Sequence, residues 1–194
     1  MMRYIALLLA VFGATWSGIY TTFGQGTITF ANIGSGGLDA PVFMPDCVSS
    51  VAGSGFFAEL YAGPAGSLEP QLGFVGGPSP FRPTETFPGY FYALYVVIPE
   101  VPYGEIATFQ VRVYEAAAGS YETAVAGGWL HGKSLLFETT TGYSSGLNPP
   151  PPPFLYGLES FCLVPEPSTV ALVFAGGLLL AGRRLRRPAG GRPR

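Results

Sequence analysis

The clearest period along the chain is two. In Ile106–Glu115 (IATFQVRVYE), Phe109, Val111 and Val113 share one face of an extended segment, and Gln110, Arg112 and Tyr114 share the other. Further strands are expected at residues 26–32, 56–62, 89–98, 134–139 and 158–164, with a weaker pattern at 72–75. Glycine- and proline-rich stretches at 34–37, 63–66, 76–78 and 99–102 predict the turns between them. Residues 120–126 read as one short helical turn with Ser120 as its N-cap. Consecutive prolines from Pro149 to Pro153 dictate a polyproline II segment before the last strand, serving as a rigid spacer or strand lead-in. Short strands with this punctuation predict an all-β body over residues 25–163, an antiparallel β-sandwich or jelly roll.

Two apolar runs fall outside this pattern. Arg3 precedes the run 5–12 (IALLLAVF), and small residues at Thr22 and Gly24 stand three and one positions before Gln25. This order of charge, apolar run and small residues predicts a signal peptide over residues 1–24, an N-terminal helix removed on export. The second run, 169–182 (TVALVFAGGLLLAG), is uncharged and is followed by Arg183, Arg184, Arg186 and Arg187. At about 1.5 Å per residue it spans roughly 21 Å as a helix, short against a hydrocarbon core of ~30 Å. Local thinning and snorkelling arginines narrow that gap, and a short C-terminal transmembrane helix is expected. The arginines would stay on the cytoplasmic side and leave the body outside. Residues 188–194 are expected to be a disordered tail.

Charged residues make up only 11% of the chain and apolar residues 48%, so too much apolar surface is present for an unfolded body. The formal net charge of −2 conceals a division. Between Gln25 and Pro165 the basic residues are Arg82, Arg112 and Lys133, set against eleven acids, or about −8. An acidic body repels phosphate backbones, which argues against nucleic acid as a partner. Cys47 and Cys162 are the only cysteines, and in an exported chain such a pair is a candidate disulfide.

Little in the body has the form of a reaction centre. His131 is the sole histidine; Ser134 with Asp39 or Asp46 completes a triad by residue type only, without a G-x-S-x-G elbow, and His131 reads as a surface or turn residue. One histidine and two distant cysteines make no zinc site, so no metal or cofactor is expected. The acids include material for a glycosidase pair, but no spacing singles one out. The glycines at 34–37 lack the Lys-Ser/Thr of a phosphate loop. Tyr90, Phe91, Tyr92 and Tyr95 read as sandwich core; exposed, they would instead stack on sugar rings.

Val164, Pro165, Glu166 and Pro167, then the apolar run, then the arginine cluster form an ordered set. It resembles the PEP-CTERM sorting signal of Gram-negative bacteria, over about residues 164–187. The apolar run is short for that pattern, and residues 188–194 extend past the arginines. Stretches 26–32, 60–66 and 109–113 are also similar to exported proteins that carry this tail, a likeness that supplies no activity. The resemblance implies an exosortase-type membrane peptidase as partner, membrane attachment through the C-terminal helix, and exopolysaccharide as a candidate partner. The expected function is that of an exported structural or interaction protein of the cell envelope and not of an enzyme. An extracellular carbohydrate-binding module and a secreted hydrolase are the alternatives.

Overall fold

The computed structural model describes residues 24–143 and 150–164. The signal peptide but for Gly24, the motif from Pro165 onward, the arginine cluster and the expected transmembrane helix lie outside these residues. Among the described residues no helix is long and apolar enough to cross a membrane. Strands dominate, and nearly all pair antiparallel.

Strand β1 (Gln25–Phe30) pairs with β5 (Leu94–Pro102) as a two-stranded ribbon. A larger sheet runs in the order β4 (Gly73–Pro80), β3 (Phe56–Pro64), β6 (Ile106–Glu115) and β7 (His131–Lys133), with β8 (Phe137–Thr140) also on β6. Two short strands, β2 (Val42–Phe43) and β9 (Phe161–Cys162), pair in parallel. Among the described residues one α-helix, α1 (Tyr121–Gly127), starts at Ser120, whose side chain accepts the Thr123 N–H, and stops at Gly128 in the left-handed region (φ 69°).

One core joins the ribbon to the larger sheet. Ile28 and Phe30 of β1, Val96 and Ile98 of β5, Leu60 of β3, and Phe109, Val111 and Val113 of β6 all belong to it. Backbone and side chain meet closely there: a Cβ on Gly76 of β4 would lie 2.5 Å from Val96 Cγ2. A smaller cluster on the other face of the sheet gathers Tyr114, Ala118, Tyr121 and Ala124 beneath α1.

Strand β6 has the predicted bounds, but both of its faces are covered. Gln110 and Tyr114 are as buried as the apolar face: Tyr114 packs with Tyr121 and Ala124 of α1, and the Gln110 amide donates to Ser134 O (3.3 Å) just past β7. Two expected turns are strand segments instead. Gly77 and Pro78 belong to β4, where they stand opposite Glu59 at an irregularity in the β3–β4 register. Residues 99–101 belong to β5 and are looped out between the pairs Gly26–Ile98 and Gln25–Pro102. Proline is tolerated at both places because a bulge asks no ladder donor of it.

The strand expected over 89–98 begins only at Leu94. Upstream, the Phe91 N–H is taken by the Asn32 side chain (3.1 Å) rather than by a neighbouring strand. The last strand is likewise shorter than 158–164, and β2 and β7 were not expected. The described prolines of the run do not stand free of the body. Pro153 O accepts the Thr29 N–H (2.8 Å), and Pro152 O accepts the Thr29 hydroxyl (3.0 Å). Prolines offer acceptors and leave no donor unsatisfied, so the run covers this stretch of β1 at no hydrogen-bonding cost.

Candidate functional site

Three regions gather polar or reactive side chains. The first surrounds Cys47, Cys162 and Val164. Asp46 builds the loop that presents Cys47: its carboxylate accepts the Val48 N–H (3.0 Å), the Ser49 N–H (2.9 Å) and the Ser49 hydroxyl (2.6 Å). These bonds, the Ser49 hydroxyl foremost, hold the carboxyl below its usual range. Cys47 adopts φ 53° there, and its N–H donates to Met44 O. A disulfide joins it to Cys162, with Cα atoms 5.3 Å apart. Two residues on, Val164 exchanges backbone hydrogen bonds with His131. Here a concavity of about 360 Å³ is lined by Tyr121, Val125, His131, Lys133, Cys162 and Val164.

His131 is not a surface or turn residue. It opens β7, is 7% exposed, packs edge-on to Tyr121 and donates from Nδ1 to Trp129 O (2.9 Å). Ser134 makes no triad with it: its hydroxyl donates to Leu135 O (2.8 Å) and accepts the Val111 N–H (3.0 Å).

The second region is a charged network on the outer face of the larger sheet. The Arg112 guanidinium lies 3.8 Å from the centre of the Tyr61 ring and 5.2 Å from that of Tyr121. Its Nε donates to Gln110 Oε1 (2.9 Å), and its terminal nitrogens approach Glu122 (3.7 Å) and Glu69 (3.9 Å). Lys133 also grips Glu69, and its hydrogen bond is the largest influence drawing that carboxyl below its ordinary range. Deeper in, Glu59 accepts the Tyr114 phenol (2.9 Å), and the single Tyr61 O–H is shared between Glu122 (3.1 Å) and Glu59 (3.4 Å). Burial raises the Glu59 carboxyl above its usual range despite these bonds, and both phenols are raised, first by burial and then by Glu59. Tyr61 thus brings two carboxylates together as a glycosidase pair would be. Glu59, however, is only 8% exposed and both its oxygens are occupied, so it offers no free face to a substrate. Among the described residues no three His, Cys, Asp or Glu side chains converge on a metal position.

The third region lies on the surface. Phe81 and Phe91 form an antiparallel bridge with both rings buried. Their neighbours on this pair, Arg82, Tyr90 and Tyr92, therefore point outward. Asn32 pins the base of the intervening loop: it is fully buried, donates to Ala40 O (2.9 Å) and Gly89 O (2.8 Å), and accepts the Phe91 N–H. At the loop's far end Phe87 is 56% exposed and holds φ 54°. A bulky residue in the left-handed region costs on the order of 1–3 kcal/mol. The Arg82 guanidinium sits 5.8 Å from the Phe87 ring centre and 5.7 Å from that of Tyr92. The Tyr90 phenol donates to Asp39, and burial together with that carboxylate pushes it up to about 12.

Of the four aromatics read as core, Phe91 alone is buried; Tyr92 and Tyr95 are exposed and Tyr90 is partly so. The contributions of Phe87 and Arg82 were not legible in advance, since neither shows periodicity and their meeting depends on the loop's path. No protein-family model matches the sequence, and neither a curated protein nor a solved structure is similar to it.

Proposed function

We propose that this chain is an exported structural or interaction protein of the cell envelope. In this reading residues 1–24 direct export and the body is a β-sandwich. A short C-terminal helix tethers it, and an exosortase-type membrane peptidase releases it at Pro165-Glu166-Pro167. The observation that carries the reading is the clamp at Cys162 and Val164, immediately before that motif. A disulfide at the end of the body suits an oxidising compartment. The bridge from Val164 to His131 ties the residue directly before Pro165 to the body, which suits a body attached through the proposed sorting segment.

The proline pair flanking Glu166 would resist continuation of a strand and leave an extended target at the membrane face. Arg183, Arg184, Arg186 and Arg187 would stop passage, since each costs at least ~2.5 kcal/mol at the bilayer centre. The test is mass spectrometry of the C-terminal peptide, from a host with its own exosortase. Mature protein should lack the region after the motif. Changing the four arginines to serine should release uncleaved chain, and Pro165→Ala with Pro167→Ala should leave it anchored. Mature wild-type protein still ending at Arg194 would overturn the reading in favour of a permanent anchor.

A second reading, an extracellular carbohydrate-binding module, is favoured by the exposure of Tyr92 and Tyr95. Aromatic faces held on a rigid β framework are suited to stacking against sugar rings.

A further inference from the structure

We infer that Arg82, Phe87, Tyr90 and Tyr92 form a binding site for a pyranose ring bearing a carboxylate, the repeating unit of an acidic polysaccharide. The inference rests on the carbohydrate-binding reading and assigns it a place and a ligand class. Three independent observations meet at this spot.

The first is the state of Arg82. The described residues hold three Lys or Arg side chains and eleven acids. Arg112 and Lys133 are both engaged with carboxylates. Arg82 has no ion pair among the described residues, and its buried Nε has no hydrogen-bond partner. A guanidinium is a planar fork matched to a carboxylate, and flanking ring faces hold it in orientation without consuming its donors. In an acidic body, leaving this one cation without a carboxylate reserves it for an anion from outside.

The second is Phe87. The residue is more than half exposed while its backbone is held in an unfavourable region. Nothing in the core benefits from this, whereas a ligand that stacks on the ring would. The third is the outward face of the bridged pair, where Tyr92 is 48% exposed and its ring centre lies 5.7 Å from the guanidinium. Tyr90 meets Phe87 edge to face, 6.5 Å apart by ring centres, with its phenol tied to Asp39. The cation is thus bordered by apolar ring faces, an arrangement that fits the C–H face of a sugar beside its carboxylate. The body's overall negative charge opposes a polyanion at long range, but at physiological salt that repulsion is screened beyond about 8 Å and the contact with Arg82 is not.

The experiment is calorimetric titration of the purified body-containing chain with oligogalacturonate, oligomannuronate and, as a neutral control, a cello-oligosaccharide. Wild type should bind a uronate oligomer and prefer it to the neutral one. Arg82→Gln should weaken uronate binding about tenfold or more and abolish the preference for the uronate over the neutral oligomer. Tyr92→Ala should weaken both. Phe87→Gly is the discriminating variant: it removes the ring and relieves the backbone, so it should unfold no earlier than wild type yet lose binding. Equal binding of neutral and acidic oligomers, unaffected in Arg82→Gln, overturns the carboxylate assignment. Uronate binding retained in Phe87→Gly and Tyr92→Ala overturns the location but leaves a carbohydrate-binding module standing. No binding by wild type to any of the three, nor to a wider glycan array, defeats both the site and the module reading.

Discussion

Breaking the Cys47–Cys162 disulfide tests how the body is closed at its C-terminal end. The bridge spans 115 residues of sequence. In the chain-entropy treatment a loop of that length restricts the unfolded chain by about 5 kcal/mol. Whole domains are stable by only about 5–15 kcal/mol, so the bridge accounts for a large share. The pairing it reinforces is slight, since β2 and β9 share two residue pairs, Val42–Phe161 and Phe43–Cys162. The segment is nevertheless not held by sulfur alone. Leu155, Leu158 and Leu163 are buried in the main core, so freeing this end disturbs the whole domain. Cys47→Ser with Cys162→Ser should therefore lower the global unfolding free energy by about 3–5 kcal/mol and the melting temperature by roughly 15 °C. Urea and thermal unfolding of oxidised wild type, reduced wild type and the double variant measure this. Reduced wild type and the variant should coincide. An unchanged midpoint, with faster amide exchange confined to residues 161–164, would refute the argument by showing that the C-terminal strand detaches locally and the bridge closes no global loop.

Two further outcomes concern buried polar groups. Glu59 is raised above its ordinary value in the folded state, so the native chain keeps this proton longer than the unfolded chain does. Its contribution to stability is complete below the usual glutamate range and is lost as pH rises through the raised value. Glu59→Gln should flatten that loss, read as a smaller fall in urea midpoint from pH 4 to pH 8 than in wild type; an identical slope would show that Glu59 does not carry it. Asn32→Ala should cost about 2–3 kcal/mol by stranding the Phe91 N–H, and Asn32→Asp should fare no better, because its second oxygen would face the Ala40 and Gly89 carbonyls. Denaturant unfolding decides both, and a loss below 0.5 kcal/mol (, about the level of an ordinary surface change) would remove Asn32 as the pin of the loop.

Features encoded by residues near one another in sequence were legible before folding. The alternation through Ile106–Glu115 specifies β6, because successive side chains of an extended chain must face opposite ways. Ser120 followed by Tyr121–Gly127 specifies a capped helical turn, because a hydroxyl at that place meets an otherwise unpaired N–H. The abundance of glycine, proline and aromatic residues specifies an all-β body through turn and pleat preferences that act over a few residues.

What covers each face was decided only in three dimensions. The alternation puts Gln110 and Arg112 on one face of β6 but does not say what they meet; Tyr121 of α1 and the carboxylates of Glu69 and Glu122 gather round Arg112, and Gln110 donates to Ser134 O. Pro78 and Pro99 read as turn residues and lie within strands, because bulges in a distant partner's register excuse them from donating. The proline run reads as a rigid spacer or strand lead-in; Pro152 and Pro153 dock on β1, because Thr29, more than a hundred residues earlier, needs their carbonyls. Arg82, Phe87 and Tyr92 have no shared period at all, and they meet because Asn32 ties the base of one loop to the first strand. Local pattern states which way a side chain points; only the long-range hydrogen bonds and packing of the closed chain state what it meets there.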